Sequence, residues 1–286
     1  MKKLTPLFLS LVVLISCKDE HVKPVSPPVE PVSPPVESLP KDTGGQHQPV
    51  VYGSNDSPYG YYLYTPSGYT STGPHFPLLV FLHGSGEVGN NSLTNPLALD
   101  SVLNLGPPFL IKKGKWNPKY PMIVVSPQSS ESWWDPIYVT KFIEFITVTY
   151  RVDPSRIYIT GLSMGGTGVY ELITTQGIGS HIAAAVPIVG GGILNEGSAK
   201  KAAGIPLWAF HAKDDLIIPP DFDIAIVKAI NQLNPTVRAK LTMYPTLSHE
   251  VWAETYDGSG MGLEDPAYDP FNMEIYTWML QYSRTP

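Results

Sequence analysis

The sequence predicts an α/β protein with a mostly parallel central sheet and helices on both of its faces. Three observations predict it. Short apolar runs, rich in β-branched side chains and closed by turn residues, recur along the chain. Stretches with helical spacing lie between several of them. The composition, 43% apolar and 15% charged over 286 residues, supplies enough core for a large layered domain.

Taken in order, the first element is Tyr59 to Tyr64, aromatic and strand-like. Pro77 to Leu82 is a continuous apolar run ending in glycines, the pattern of a strand buried on both faces. Met122 to Ser126, Arg156 to Thr160, Ala184 to Val189 and Leu207 to Phe210 read the same way, and Leu241 to Tyr244 closes the series. Val139, Phe142, Ile143 and Ile146 fall on one helical face. The folded domain is expected to start near His47 and to span 47–286.

The residues before it read differently. Met1 to Lys3 is a positive start, Leu4 to Ile15 is an apolar run too short for a comfortable membrane span, and Leu14-Ile15-Ser16-Cys17 follows. This ending resembles the lipobox of bacterial lipoproteins. The resemblance implies that 1–17 is a signal segment, that Cys17 carries the lipid and that the membrane is reached through this anchor alone. Lys18-Asp19-Glu20 resembles the charged signal that sends some lipoproteins to the outer face of the outer membrane. Residues 24–30 are repeated identically at 31–37, and their prolines favour extended polyproline II. Residues 18–46 are therefore expected to be a semi-rigid spacer. The single cysteine excludes an intramolecular disulfide and a cysteine-based zinc site. The net charge of −6, dispersed along the chain, argues against nucleic acid as a partner.

The chemistry starts at Gly161-Leu162-Ser163-Met164-Gly165, a G-x-S-x-G run. A β-branched strand feeds into it and a helix-compatible stretch from Thr167 follows, so Ser163 stands on a sharp strand-to-helix turn as a candidate nucleophile. His83-Gly84-Ser85-Gly86-Glu87 follows an earlier buried strand. Its glycines also match G-x-G-x-x-G, but no helix opens after them as a dinucleotide site requires. The loop instead suits an oxyanion hole: the Met164 amide as first donor and the Ser85 amide as second, with that of Gly86 as the alternative. His83 is expected to pack beneath this loop.

In this strand–elbow–helix arrangement an acid and then a histidine follow the serine along the chain. His181, His211 and His249 are the histidines that remain. His249, after the last strand, is the expected base; His181 precedes a strand and reads as a surface residue. Asp214 and Asp215 are adjacent candidates for the acid, and physics alone does not separate them. His249-Glu250 begins an H-E-x-x-H pattern, but Ala253 replaces the second ligand, so no metal is expected and no cofactor is called for.

These stretches, with Asp153 to Tyr158 and His249-Glu250-Val251-Trp252, resemble secreted bacterial carboxylesterases of the α/β-hydrolase fold. The nearest in style are feruloyl and acetylxylan esterases of carbohydrate-esterase family one and single-domain "predicted peptidases". The resemblance spans about residue 60 to the C-terminus. It implies ester hydrolysis through an acyl-enzyme, with an acylated saccharide as substrate. In that family the acid lies in H-G-x-x-D-x-x-V-P, and counting from His211 to Pro219 selects Asp215. Ala212 and Ser248 depart from the glycines usual there, which puts loop geometry in question.

Trp133 and Trp134 follow a strand end, where ligands bind in open α/β sheets, and Trp252 is three residues from His249; these are the expected pocket aromatics. Gly191 to Pro206 is too short for a multi-helix lid, so no large cap domain is expected, and the connection from Glu87 to Tyr120 is expected to wall the cleft. Two other functions compete with the esterase. A peptidase of prolyl-oligopeptidase type would carry an N-terminal propeller, for which this chain has only the spacer. An inactive binding module would have no need of the serine, acid and histidine together.

Overall fold

The computed structural model describes residues 42–116, 121–192 and 194–284; the predicted signal segment, Cys17 and the repeated heptapeptide lie outside them. Among these residues one sheet contains β1 (Gln46–Val50), β2 (Tyr61–Thr65), β3 (Phe76–Leu82), β4 (Ile123–Pro127), β5 (Val152–Leu162), β6 (Ala184–Ile188), β7 (Trp208–Ala212) and β8 (Lys240–Tyr244). Their spatial order is β1-β2-β4-β3-β5-β6-β7-β8. β1 and β2 pair antiparallel with their neighbours, and every pairing from β4 to β8 is parallel. Every residue of β3, β4, β6 and β7 is buried, as their unbroken apolar runs require.

The helices are α1 (Gly106–Lys112), α2 (Pro136–Thr149), α3 (Met164–Thr175), α4 (Glu196–Ala202), α5 (Asp221–Gln232), α6 (Trp252–Asp257) and α7 (Ile275–Met279). One core joins a sheet face to α2, α3 and α5 through residues such as Phe142, Val169, Ile173 and Ile226. The other joins the opposite face to α1, α6 and α7, with Trp208 and Phe210 packed edge-on against Phe271. α2 starts where the sequence stops it from starting earlier: Asp135 caps the Ile137 amide at 2.7 Å and Pro136 occupies the first turn. Its Val139, Phe142, Ile143 and Ile146 face inward as their spacing predicts.

Two expectations are corrected here. β1 lies at the sheet edge, where an alternating polar sequence with only His47 and Val50 half-buried gives no apolar run to read. The spacer boundary also falls too late, because Gln46 already pairs with Thr65 and the Asp42 carboxylate accepts from the Tyr64 hydroxyl at 2.6 Å. Among the described residues the connection between β6 and β7 carries only the seven-residue α4. The connection after Glu87 carries a 3₁₀ helix, Pro96–Asn104, and α1.

The topology gathers the candidate residues at one edge. β3, β4 and β5 run parallel, so the loops after Leu82, Pro127 and Leu162 emerge at the same end of the sheet. β2 runs against β4 with Tyr61 opposite Pro127, which brings the β1–β2 connection to that end as well.

Candidate active site

Ser163 lies between the last residue of β5 and the first of α3, at φ 54° and ψ −118°. A non-glycine residue held there stores roughly 1–3 kcal/mol of strain. Its backbone is pinned at both ends: its amide donates to the Ile188 carbonyl at 3.0 Å and its carbonyl accepts from the Thr167 amide at 2.9 Å. The flanking glycines are steric necessities. A Cβ on Gly161 would sit 2.5 Å from the Gly165 carbonyl oxygen, and one on Gly165 would sit 2.0 Å from that of Leu82. The strand, the helix and the loop after β3 are thus closed onto one another around the serine.

The Ser163 hydroxyl is 2.8 Å from His249 Nε2, and His249 Nδ1 is 2.7 Å from Asp215 Oδ2. The carboxylate fixes the ring with its proton on Nδ1, which leaves Nε2 to accept from the hydroxyl. Asp215 is fully buried at its side chain, and its other oxygen accepts from the amides of Ile217 at 2.8 Å and Ile218 at 3.0 Å. Burial alone would raise this carboxyl. The hydrogen bonds from His249, Ile218 and Ile217 outweigh it and hold the group below the usual aspartate range. Trp252 stands edge-to-face with the His249 ring, centroids 5.6 Å apart. The turn before the histidine is tight, with Leu247 at φ 95° and Ser248 at φ 53°. Asp214 points away from this line and accepts from the Ser248 amide at 2.8 Å.

Met164 opens α3 and Ser85 opens a 3₁₀ turn, Ser85–Glu87, and neither helix start has a side-chain cap. The first amides of a helix lack intrahelical acceptors, which is what the expected donors require. A Cβ on Gly84 would lie 2.8 Å from Leu162, which puts the Ser85 turn against the elbow. Glu87 is buried at the end of this turn, and burial raises its carboxyl.

His83 is fully buried, its Nδ1 2.7 Å from the Gly84 carbonyl and its Nε2 accepting from the Ser129 amide at 3.0 Å. It anchors the loop from below, as expected. Trp134 is a correction. It is 1% exposed, its indole donates to the His83 carbonyl at 3.1 Å, and Gly168 of α3 packs on it, so it offers a substrate no surface. Trp133, one residue earlier, points outward. His181 ends a 3₁₀ helix in a left-handed conformation, its side chain half exposed.

The sequence reading missed one neighbour. His211 Nδ1 lies 2.7 Å from Asp223 Oδ2, with both side chains fully buried. Its Nε2 is 2.8 Å from the Ile218 carbonyl and 3.2 Å from Asp215 Oδ2. The only available signal was an acid in the first turn of α5, which reads as an ordinary complement to the helix dipole. Among the described residues no three His, Cys, Asp or Glu side chains are grouped to hold a metal ion.

No family model matches the chain. It is 25% identical over 157 residues to a bifunctional acetylxylan esterase/xylanase of Neocallimastix patriciarum, a stretch that is 55% of this chain and 21% of that protein. The chain thus spans about a fifth of the length of this curated relative. Among solved structures it is similar to a thermostable esterase, with TM-score 0.58 and 26% identity over 84% of this chain and 63% of the other. A feruloyl esterase module from Clostridium thermocellum, solved with sinapinate, matches with TM-score 0.53 and 16% identity over 75% and 85% of the two chains.

Proposed function

We propose that this α/β-hydrolase cleaves short acyl or aryl esters of a saccharide through a serine acyl-enzyme. The observation that carries the reading is the unbroken hydrogen-bonded line from Ser163 through His249 to Asp215, on a strained elbow beside two helix starts. Ser163 Oγ attacks the ester carbonyl carbon while His249 Nε2 takes its proton. The carbonyl oxygen becomes an oxyanion, which the Met164 and Ser85 amides receive. His249 then returns the proton to the departing alkoxide, leaving the acyl group on Ser163. Water, deprotonated by His249, attacks that acyl group and Ser163 leaves with the proton. Asp215, kept ionised by its hydrogen bonds, stabilises the imidazolium formed in both halves.

The short-acyl preference rests on the connection between β6 and β7, where α4, seven residues long, is the helix among the described residues, too little for a multi-helix lid. The saccharide preference rests on the likeness to an acetylxylan esterase and on the sequence resemblance described above. An anchored Cys17 and a proline-rich spacer fit an enzyme that reaches a bulky external polymer; Cys17→Ser should then release the protein from the membrane fraction.

The test is hydrolysis of p-nitrophenyl esters from acetyl to palmitoyl, with a p-nitroanilide peptide beside them. Ser163→Ala and His249→Ala should each lose about 10⁴-fold or more in kcat while unfolding at the wild-type temperature. Normal turnover by folded Ser163→Ala would remove the assignment. A preference for palmitoyl, or for the anilide, would remove the substrate class.

A further inference from the structure

A concavity opens at the same end of the sheet as Ser163, with a volume of about 690 Å³. Its walls come from the β1–β2 connection, the loop after the Ser85 turn, the loop after β4 and the start of α2. Ser163 is not part of its lining. The strand β4 beneath it is two positions from β5, a lateral offset of roughly 10 Å. The two sites share a wall. Gly89 and Ser129 line the concavity, Gly89 donates to the Ser129 carbonyl at 3.0 Å, and Ser129 donates to His83 under the Ser85 loop.

The floor is preformed. Asn91 Oδ1 accepts from the Tyr52 amide at 2.8 Å, and Asn91 Nδ2 donates to Gln128 Oε1 at 2.8 Å. Gln128 in turn donates to the Ala98 carbonyl at 2.6 Å. Gly60 and Gly89 close against these two amides, where a Cβ would lie 1.9 Å from Asn91 Oδ1 and 2.5 Å from Gln128 Nε2. The loop carrying Trp133 is held by Ser129, whose hydroxyl donates to the Glu131 and Trp133 carbonyls at 3.1 Å each.

On this fixed floor stand three aromatic side chains that the fold leaves half open. Tyr52, Trp133 and Tyr138 are each half exposed, at 51%, 51% and 50%, and all three line the one concavity. Single exposed aromatics are ordinary, but three converging on a rigid cleft form a recognition surface. Between them lie the hydrogen-bonding groups of Asn90, Glu131 and Asp135. The lining includes two acids and no Lys, Arg or His. Flat rings with apolar faces and a rim of hydroxyls match this arrangement; an anion does not.

We infer that this concavity is a binding subsite for an uncharged oligosaccharide, which it holds beside the catalytic centre while an ester on the same chain reaches Ser163. The inference rests on the proposed esterase function only for the ester; the sugar site stands on its own geometry. It commits the substrate to a neutral polysaccharide, because a uronate or sulfate would meet Glu131 and Asp135 in the lining, while the Lys141 ammonium lies over the Tyr138 ring, 5.2 Å from its centroid.

Titration of the full-length wild-type protein with an unsubstituted neutral xylo-oligosaccharide, followed by tryptophan fluorescence and calorimetry, tests it. Saturable binding is expected, weaker by about tenfold in each of Trp133→Ala and Tyr138→Ala. Glu131→Gln, a smaller change, should weaken neutral binding less and narrow the gap to an oligogalacturonate of equal length. The ratio of kcat/KM on an acetylated oligosaccharide to that on p-nitrophenyl acetate should fall with the binding loss. No saturable binding, undiminished binding by the folded aromatic variants, or tighter binding of the oligogalacturonate overturns the subsite. Ester cleavage without oligosaccharide binding removes the subsite and keeps the esterase. Oligosaccharide binding without ester cleavage does the reverse.

Discussion

His249 and His211 each hold an aspartate at 2.7 Å through Nδ1, yet their opposite ring nitrogens face different worlds. His249 Nε2 looks onto the Ser163 hydroxyl, and its side chain keeps 14% of its surface open. His211 Nε2 looks onto the Ile218 carbonyl, and its side chain is sealed. A carbonyl has no proton to give, so His211 Nε2 must carry one itself and cannot act as a base. The same pair of residues is therefore a proton acceptor in one setting and a structural tie in the other. The two couples are also joined, because Asp215 Oδ2 lies between His249 Nδ1 at 2.7 Å and His211 Nε2 at 3.2 Å. In the proposed reaction, what suits His249–Asp215 and not His211–Asp223 to catalysis is the partner at the far nitrogen and its access to solvent.

The sharpest way to break this comparison is at the acids. Asp215→Asn should lower kcat on p-nitrophenyl acetate by about 10⁴-fold, because an amide can hold His249 in the wrong tautomer. Asp214→Asn should stay within a few-fold of wild type, since its carboxamide oxygen can still accept from the Ser248 amide. Equal losses in the two variants would mean that the Ser248 turn, rather than the His249 tautomer, controls the reaction.

Stability should sort the couples the other way. His211→Ala leaves Asp223 buried and without its partner, which costs about 3–5 kcal/mol. His249→Ala leaves Asp215 with the Ile217 and Ile218 amides and His211 as partners and should cost far less, although the proposed reaction loses its base. Urea unfolding of the two variants checks this, and a His249→Ala loss as large as that of His211→Ala would erase the distinction.

Much of this pair was legible before the fold. Ser163 was marked by its glycines and the strand before it, and His249 by its place after the last strand. Asp215 was separated from Asp214 only by its spacing from His211, through the family resemblance, since local physics treats neighbouring acids alike. Asp223 was hidden because its partner His211 lies on another element, β7, and an acid in the first turn of α5 needs no further reason. Trp133 and Trp134 show the same limit: adjacent residues in a loop have no periodicity, so nothing in the sequence says which one turns inward. The sugar-binding concavity was invisible because β1 gave no apolar signal, and without β1 and the antiparallel β2 the Tyr52 segment has no assigned place.

The smallest expected effect is a slope. Burial alone would lower the His211 imidazole, but the hydrogen bond and charge of Asp223 outweigh it and the net shift is upward from 6.5. A group whose folded value is raised contributes stability that is fully present below its unfolded value and lost as pH rises through the folded one. The His211 contribution is therefore complete below about pH 6.5 and fades above it. Asp223 is itself raised, by burial first, so its own share weakens with rising pH too. Asp223→Asn keeps an acceptor for His211 but removes the charge. The difference in urea midpoint between wild type and Asp223→Asn, measured from pH 6 to 9, should therefore shrink steadily as pH rises, while other titrating groups cancel. A difference that stays level would mean that His211 carries no extra proton and that the couple is held by a neutral hydrogen bond. A difference that widens would mean that the sign is reversed and that burial, not Asp223, governs His211.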